Sequence, residues 1–277
     1  LREDLEEIAA KAVSLGHRPV VSCNDGSLLT EARIASLAKA GIKHFSFSMH
    51  SSVREDHDHF VRVPGAYNHA LEAFARIRAQ GLSFQINTTI LPSNYNRLPG
   101  LKDWVLSLNA ASWHLFFIVP TGRASSNSSE IVLSQSQIDE VLRYVASESD
   151  EWGIPVKVTC APQYARIRME MGKDPGSRGR SCMAGSGFAF VSYRGEVKPC
   201  GYFDLVVGNI RETPLDQIYI QSHQLRDMRT PEKLEGVCRR CRFNTVCGGC
   251  RARAYAVHGS YLAEDPNCDF TAGQVPK

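Results

Sequence analysis

Seven of the nine cysteines in this 277-residue chain fall in its last third, and any fold it adopts has to gather them. They are Cys182, Cys200, Cys238, Cys241, Cys247, Cys250 and Cys268, four of them in the run Cys238-x2-Cys241-x5-Cys247-x2-Cys250. Thiolates this dense repel one another and oxidise unless a soft cation holds them. Disulfide frameworks belong to small secreted domains with a targeting signal. The opening LREDLEEIAAKA is a charged amphipathic pattern without the apolar centre of a signal peptide. The set therefore reads as metal ligation in a reducing compartment, with the cytoplasm as the expected location. Tetrahedral zinc and iron–sulfur clusters both suit thiolate ligands. Zinc would use two Cys-x2-Cys pairs, but the five-residue gap between them is short and three cysteines would be left over. Seven divides more naturally into four ligands for one cluster and three for a second. Cys23 and Cys160, outside the group, read as small buried hydrophobes.

Ahead of the cysteines, helix and strand patterns alternate. A helical stripe of Leu5, Ile8, Ala9 and Ala12 precedes a strand at 19–23 and a turn at Asn24-Asp25-Gly26. Thr30 is placed to cap a helix that runs to Ala40 and stops at Gly41. Strands follow at 44–49, 84–91, 114–119 and 156–159, separated by helices at 67–80, 101–108 and 135–151. Units of this length predict a parallel sheet with crossover helices. Strands covered on both faces are ordinarily apolar on both, yet two of these alternate. Phe45, Phe47 and Met49 oppose His44, Ser46, Ser48 and then His50; Gln85, Asn87 and Thr89 share one face of the next strand. A sheet curled round a solvated, ligand-holding cavity fits that pattern, and an antiparallel sheet wet on one side is the plainer alternative. The loop TGRASSNSSE at 121–130 follows a strand end, where ligands sit in α/β folds. That makes Arg123 a candidate for gripping an anionic group, against its being simply solvated.

The net charge of +3, spread along the chain, lacks the basic stripe of a nucleic-acid binder. No apolar run is long enough to span a membrane. The expected partners therefore include neither nucleic acid nor membrane.

The tail from Cys200 through Cys268, with its Gly208-Asn209 turn and its cysteine spacing, resembles the SPASM domain of radical S-adenosylmethionine (SAM) enzymes. The segments at 22–30, 45–50 and 85–89 are similar to the third, fourth and fifth strands of the same superfamily's barrel. The resemblance implies an α/β fold: a partial (β/α)6 barrel lacking its first strands over 1–159, then a small cysteine-rich SPASM domain over 160–277. It implies two auxiliary [4Fe–4S] clusters. One is held by Cys238, Cys241, Cys247 and Cys268; the other by Cys182, Cys200 and Cys250, with its fourth position open or filled by another group, Cys160 being one candidate. By position Asn24, Ser48 and Asn87 would hold the methionine end and ribose of SAM, with Val119 near the adenine. The extra residue in Asn24-Asp25-Gly26, where the family has Asn-Gly, departs from the pattern at Asn24.

FFIVPTGRA at 116–124, TCAPQYAR at 159–166, CMAGSGFAFVSYRGEVKPCGYF at 182–203 and CGGCRARAYA at 247–256 resemble the tetrapyrrole-modifying group, nearest its heme synthases. That implies an iron-tetrapyrrole substrate, oxidative decarboxylation of iron-coproporphyrin III propionates to vinyls, and a low-potential electron partner such as ferredoxin or flavodoxin. Arg123 and Arg166 would pair with the propionates. Didecarboxysiroheme deacetylation, heme d1 maturation, peptide modification and a non-enzymatic zinc or electron-transfer module are the alternatives. The family's Cys-x3-Cys-x2-Cys loop, which binds the SAM-cleaving cluster, does not occur in this sequence. The expectation is that this polypeptide by itself does not cleave SAM, and deoxyadenosine formed by it after reconstitution would refute that.

Overall fold

A computed structural model describes residues 2–126, 131–176, 180–268 and 270. One compact unit takes in the chain up to Phe116 together with Ser149–Lys157; the other takes in Phe117–Glu148 and the chain from Val158 onward.

In the first unit α1 (Leu5–Ser14), β1 (Val20–Cys23), α2 (Glu31–Lys39), β2 (His44–Ser48), α3 (Arg54–Val61), α4 (Ala66–Ala79), β3 (Ser83–Ile90), α5 (Leu98–Ser107) and β4 (Ser112–Phe117) follow in turn. With β5 (Val156–Thr159) the strands form a five-stranded sheet in the order β1-β2-β3-β4-β5. β2 pairs in parallel with both β1 and β3, which removes the antiparallel alternative for that part of the sheet. Strand order that follows chain order is the pattern of a barrel wall; a doubly wound sheet would reverse at a switch point.

Period-2 patterning places the strands as expected. Phe45, Phe47 and Met49 are wholly buried, as are Phe84 and Ile86 on β3 and Trp113 and Leu115 on β4. Phe47 meets Phe74 of α4 edge-on at 4.8 Å, and Phe74 stacks on Phe84 at 4.2 Å. Each such ring contributes about 2 kcal/mol through burial. The Thr30 hydroxyl accepts the Arg33 N–H and caps α2. Gly26, at φ +78°, lets the turn after β1 press on α4, since a Cβ there would come 2.7 Å from that of Ala73. α3 falls where the sequence predicts a polar loop: its buried residue is His57, so no apolar stripe announces it.

In the second unit α6 (Gln135–Glu148) packs with α7 (Gln163–Glu170), the latter not foreseen in the sequence. The short strands β6 (Phe190–Val191), β7 (Glu196–Lys198) and β8 (Gly208–Asn209) form an antiparallel sheet. The helices α8 (Leu215–Gln221), α9 (His223–Arg229), α10 (Gly236–Arg240) and α11 (Arg251–His258) complete it. No helix among the described residues is long and apolar enough to cross a membrane.

Candidate functional site: two cysteine groups and a polar strand face

The eight cysteines of the second unit sort into two sets of four. Cys238 in α10, Cys241 just after it, Cys247 and Cys268 all line one cavity of about 240 Å³, together with Gln163, Arg166, Gly248, Gly249 and Asp265. Their backbone setting suits charged sulfur: Cys241 Sγ accepts the Phe243 N–H and Cys247 Sγ the Gly249 N–H, each at 3.4 Å. Gly249 holds φ +66°, and a Cβ on it would lie 3.3 Å from Cys238 Sγ and 2.8 Å from Asp265 Cβ, so only glycine lets the chain pass this close. Burial pushes the thiols up in pKa, Cys268 to about 12 and Cys247 well above its ordinary value, so they stay protonated unless a cation takes the proton's place.

Arg166 lines this cavity beside the carboxylates of Glu264 and Asp265, and two further arginines lie close to its cysteines. Arg251 is 1% exposed and, among the described residues, has no carboxylate partner. Its guanidinium reaches the carbonyls of Gly249, Tyr261 and Ala263, and Cys238 Sγ at 3.8 Å. Arg166 is nearly as buried; it pairs with Glu170 and Asp139 and lies 5.0 Å above the Phe270 ring. Nε and Nη2 of Arg180 are buried without a hydrogen-bond partner among the described residues, and its guanidinium faces Cys182, Cys238 and Cys247. Buried cations are costly unless anions compensate them. Thiolate ligands of an iron–sulfur cluster, whose whole is anionic, would do so, and the residues present fit that group. Among the described residues no three Cys, His, Asp or Glu side chains converge on a point where one metal ion could be held. Thiols set round a cavity, each reaching a different iron, suit a cluster better than a tetrahedral zinc.

The second set is Cys160, Cys182, Cys200 and Cys250. The first three pack against a core of Cys250, Val119, Ala184, Phe203, Met228 and Ala252. Backbone N–H groups of Ala184 and Arg251 lie toward Cys182, and those of Tyr202 and Phe203 toward Cys200. Burial pushes the Cys200 thiol up to about 12.

In the first unit the polar strand face is a hydrogen-bonded row. Gln85 donates to Asn87 Oδ1 at 2.8 Å and lies 3.2 Å from His114 Nδ1, and Asn87 donates to Ser46 Oγ at 2.8 Å. Burial, then Lys157 and His44, hold His114 down to about 4, so it is neutral at pH 7. Ser48 and Asn87 are paired in register, and Asn24 follows Cys23, the residue paired with Phe47 one step before. The three polar residues expected to hold SAM thus fall on one row at the carboxyl end of the strands. Val119 belongs to the second unit, 3% exposed in the core named above.

Arg123 is exposed in a short 3-10 turn at Gly122–Ala124, where its carbonyl accepts the Ser126 hydroxyl. Residues 127–130 of that loop lie outside the described residues. Arg166, expected to meet substrate, lies in the wall of the four-cysteine cavity. The sequence reading passed over Arg251, Arg253 and Asp265. Their one sequence signal is the pair of arginines, two residues apart, directly after Cys247-Gly-Gly-Cys250.

Residues 182–242 match the SPASM family, an iron–sulfur cluster-binding domain. An AdoMet-dependent heme synthase of Oleidesulfovibrio alaskensis is 37% identical over all of this chain and 74% of its own length. One from Methanosarcina barkeri is 36% identical over 99% of this chain and 80% of its own. Among solved structures, SuiB of Streptococcus suis bound to S-adenosylmethionine superposes with a TM-score of 0.68 at 15% identity, a likeness of fold; it covers 97% of this chain, which spans 63% of SuiB's. With this identity across nearly all of its length, the chain belongs to the AdoMet-dependent heme synthase family of radical SAM enzymes.

Proposed function

We propose that this chain carries the substrate-holding and auxiliary-cluster parts of a reaction in which two propionates of iron-coproporphyrin III lose carbon dioxide and become vinyls, giving heme b. The observation that carries the reading is the sorting of eight cysteines into two groups, in a chain that is 37% identical to a heme synthase. When bound, SAM supplies the hydrogen-abstracting chemistry, and the two auxiliary [4Fe–4S] clusters give the electron left by departing carbon dioxide somewhere to go.

The chain's own side chains bind and orient. Asn24, Ser48 and Asn87 offer hydrogen-bonding groups to the ribose and methionine ends of SAM. His114, neutral, gives that face an uncharged donor or acceptor. Arg123, exposed and planar, matches a propionate carboxylate in a two-bond clamp. Arg166, already paired with Glu170 and Asp139, we assign to the cysteine cavity. Electrons reach or leave the clusters through a low-potential carrier of the ferredoxin or flavodoxin type.

The test is optical titration of the anaerobically reconstituted chain with iron-coproporphyrin III. A shifted Soret band is expected, with affinity weakened about tenfold in Arg123→Gln, the loss of one charge-assisted pair worth about 1.5 kcal/mol. Tighter binding of didecarboxysiroheme would move the chain to another tetrapyrrole reaction. Binding of a peptide, with no Soret shift, would overturn the tetrapyrrole reading.

A further inference from the structure

Four of the eight cysteines in the second unit line the cavity of Cys238; the other four include Cys160, which the Cys182–Cys200–Cys250 ligand set leaves unassigned. Two observations set Cys160 apart from an inert buried thiol. Its side chain packs in the same core as Cys182, Cys200 and Cys250. Its backbone sits at φ +64°, one of three non-glycine residues with positive φ among the described residues, a conformation that persists only where surroundings impose it. The imposing groups are visible. Arg253, 1% exposed, donates through Nη2 to the Cys160 carbonyl at 2.6 Å and through Nη1 to both Asp265 oxygens at 3.2 Å. Asp265 Oδ2 in turn accepts the Cys250 N–H at 2.7 Å. One buried ion pair therefore ties the backbones of two cysteines ninety positions apart, whose side chains share one core.

We propose that Cys160 is the fourth ligand of the cluster held by Cys182, Cys200 and Cys250, with the Arg253–Asp265 pair as its positioning device. The proposal rests on reading these cysteines as cluster ligands. It makes that cluster fully ligated by protein, with no iron available to substrate, so that it exchanges electrons without binding the molecule being oxidised.

The experiment compares wild type, Cys160→Ala, Cys160→Ser and Cys23→Ala, each reconstituted with iron and sulfide under anaerobic conditions, reduced, and examined by electron paramagnetic resonance with and without cyanide as an added iron ligand. Alanine at position 160 keeps the backbone demand of an L-residue at positive φ, so the comparison isolates the sulfur. Wild type and Cys23→Ala are expected to hold about eight iron and eight sulfide per chain, as two clusters require, with a signal that cyanide leaves unchanged. Cys160→Ala is expected either to lose one iron from one cluster or to give a signal that moves on adding cyanide, the other cluster's signal persisting as an internal control of folding. If Cys160→Ala does not fold, Cys160→Ser decides, since an oxygen ligand must shift the signal of that cluster alone. A cyanide-sensitive wild type overturns the proposal, and so does a position-160 variant spectroscopically identical to it. Wild type that takes up little iron and sulfide removes the cluster reading itself, an outcome distinct from both.

Discussion

The polar face of the sheet and the cysteine region of the second unit solve opposite problems. On the sheet, Gln85, Asn87, Ser46 and His114 satisfy one another, and beneath them Phe45, Phe47, Phe74 and Phe84 form an apolar layer that needs nothing from outside. In the cysteine region regular structure is sparse. The strands span two or three residues, and buried arginines stand where a core would ordinarily place leucine. A protein that buries guanidinium groups with so little apolar cover has tied its local stability to the anion they surround. The first region is folded by burial, and the second is completed by ligation.

Removing iron is the strongest test of that contrast. Chelation of the anaerobic protein is expected to erase hydrogen-exchange protection around Cys238–Cys250 and Cys268 while amides of β2 and β3 keep theirs, because metal-binding free energy is folding free energy in such sites. Mass-resolved exchange before and after chelation reads both regions in one sample. Equal loss in the two regions, or in neither, would break the distinction between them.

The same contrast explains what could be read from the sequence. The strands and most of the first unit's helices were legible because apolar residues recur at periods of two and near four, and Thr30 marks a cap. Seven of the cysteines stood out because they crowd into the last third of the chain, while their division into two ligand sets came from the resemblance. α3 and α7 were not, since much of what they bury is polar: His57 in one, and Gln163, Arg166 and Arg168 beside Ala165 and Ile167 in the other. A periodicity argument scores such residues as exposed. The Arg253–Asp265 pair was hidden for the same reason, and with it the case for Cys160, since nothing local says that a charge will be buried against a partner twelve residues away.

A smaller effect tests the sheet through acid. His50 lies two residues past the end of β2, accepts the Thr89 N–H at Nδ1 (3.1 Å), and stacks on His57 at 5.8 Å. Burial, and secondarily His57, lower its pKa to about 3, so folding excludes the proton that the unfolded chain binds near 6.5. The folded pKa being depressed for a base, stability is unaffected above pH 6.5 and falls as pH drops from there toward 3. By pH 5 that amounts to about 2 kcal/mol. His50→Asn keeps an acceptor for Thr89 and does not titrate, so its denaturation midpoint is expected to be flatter between pH 7 and 5 than that of wild type. His57, also shifted down by burial, adds a slope common to both proteins. Parallel curves would show that His50 is not what makes the sheet acid-sensitive.

The smallest expected effect is the most local. Thr30 Oγ1 accepts the Arg33 N–H at 3.2 Å at the start of α2, whose Ile34 and Leu37 are buried beneath it. Thr30→Ala leaves that donor to water and is expected to cost about 1 kcal/mol. The position shares no atom with either cysteine group, so the cost should be the same in iron-loaded and chelated protein, whereas any change made at Gly249 should depend on iron. Urea titration of the first unit, followed through the tryptophans at 104, 113 and 152, gives the comparison directly. If the Thr30→Ala penalty changes when iron is removed, the first unit is not folded by burial alone, and its stability must be coupled to ligation in the second.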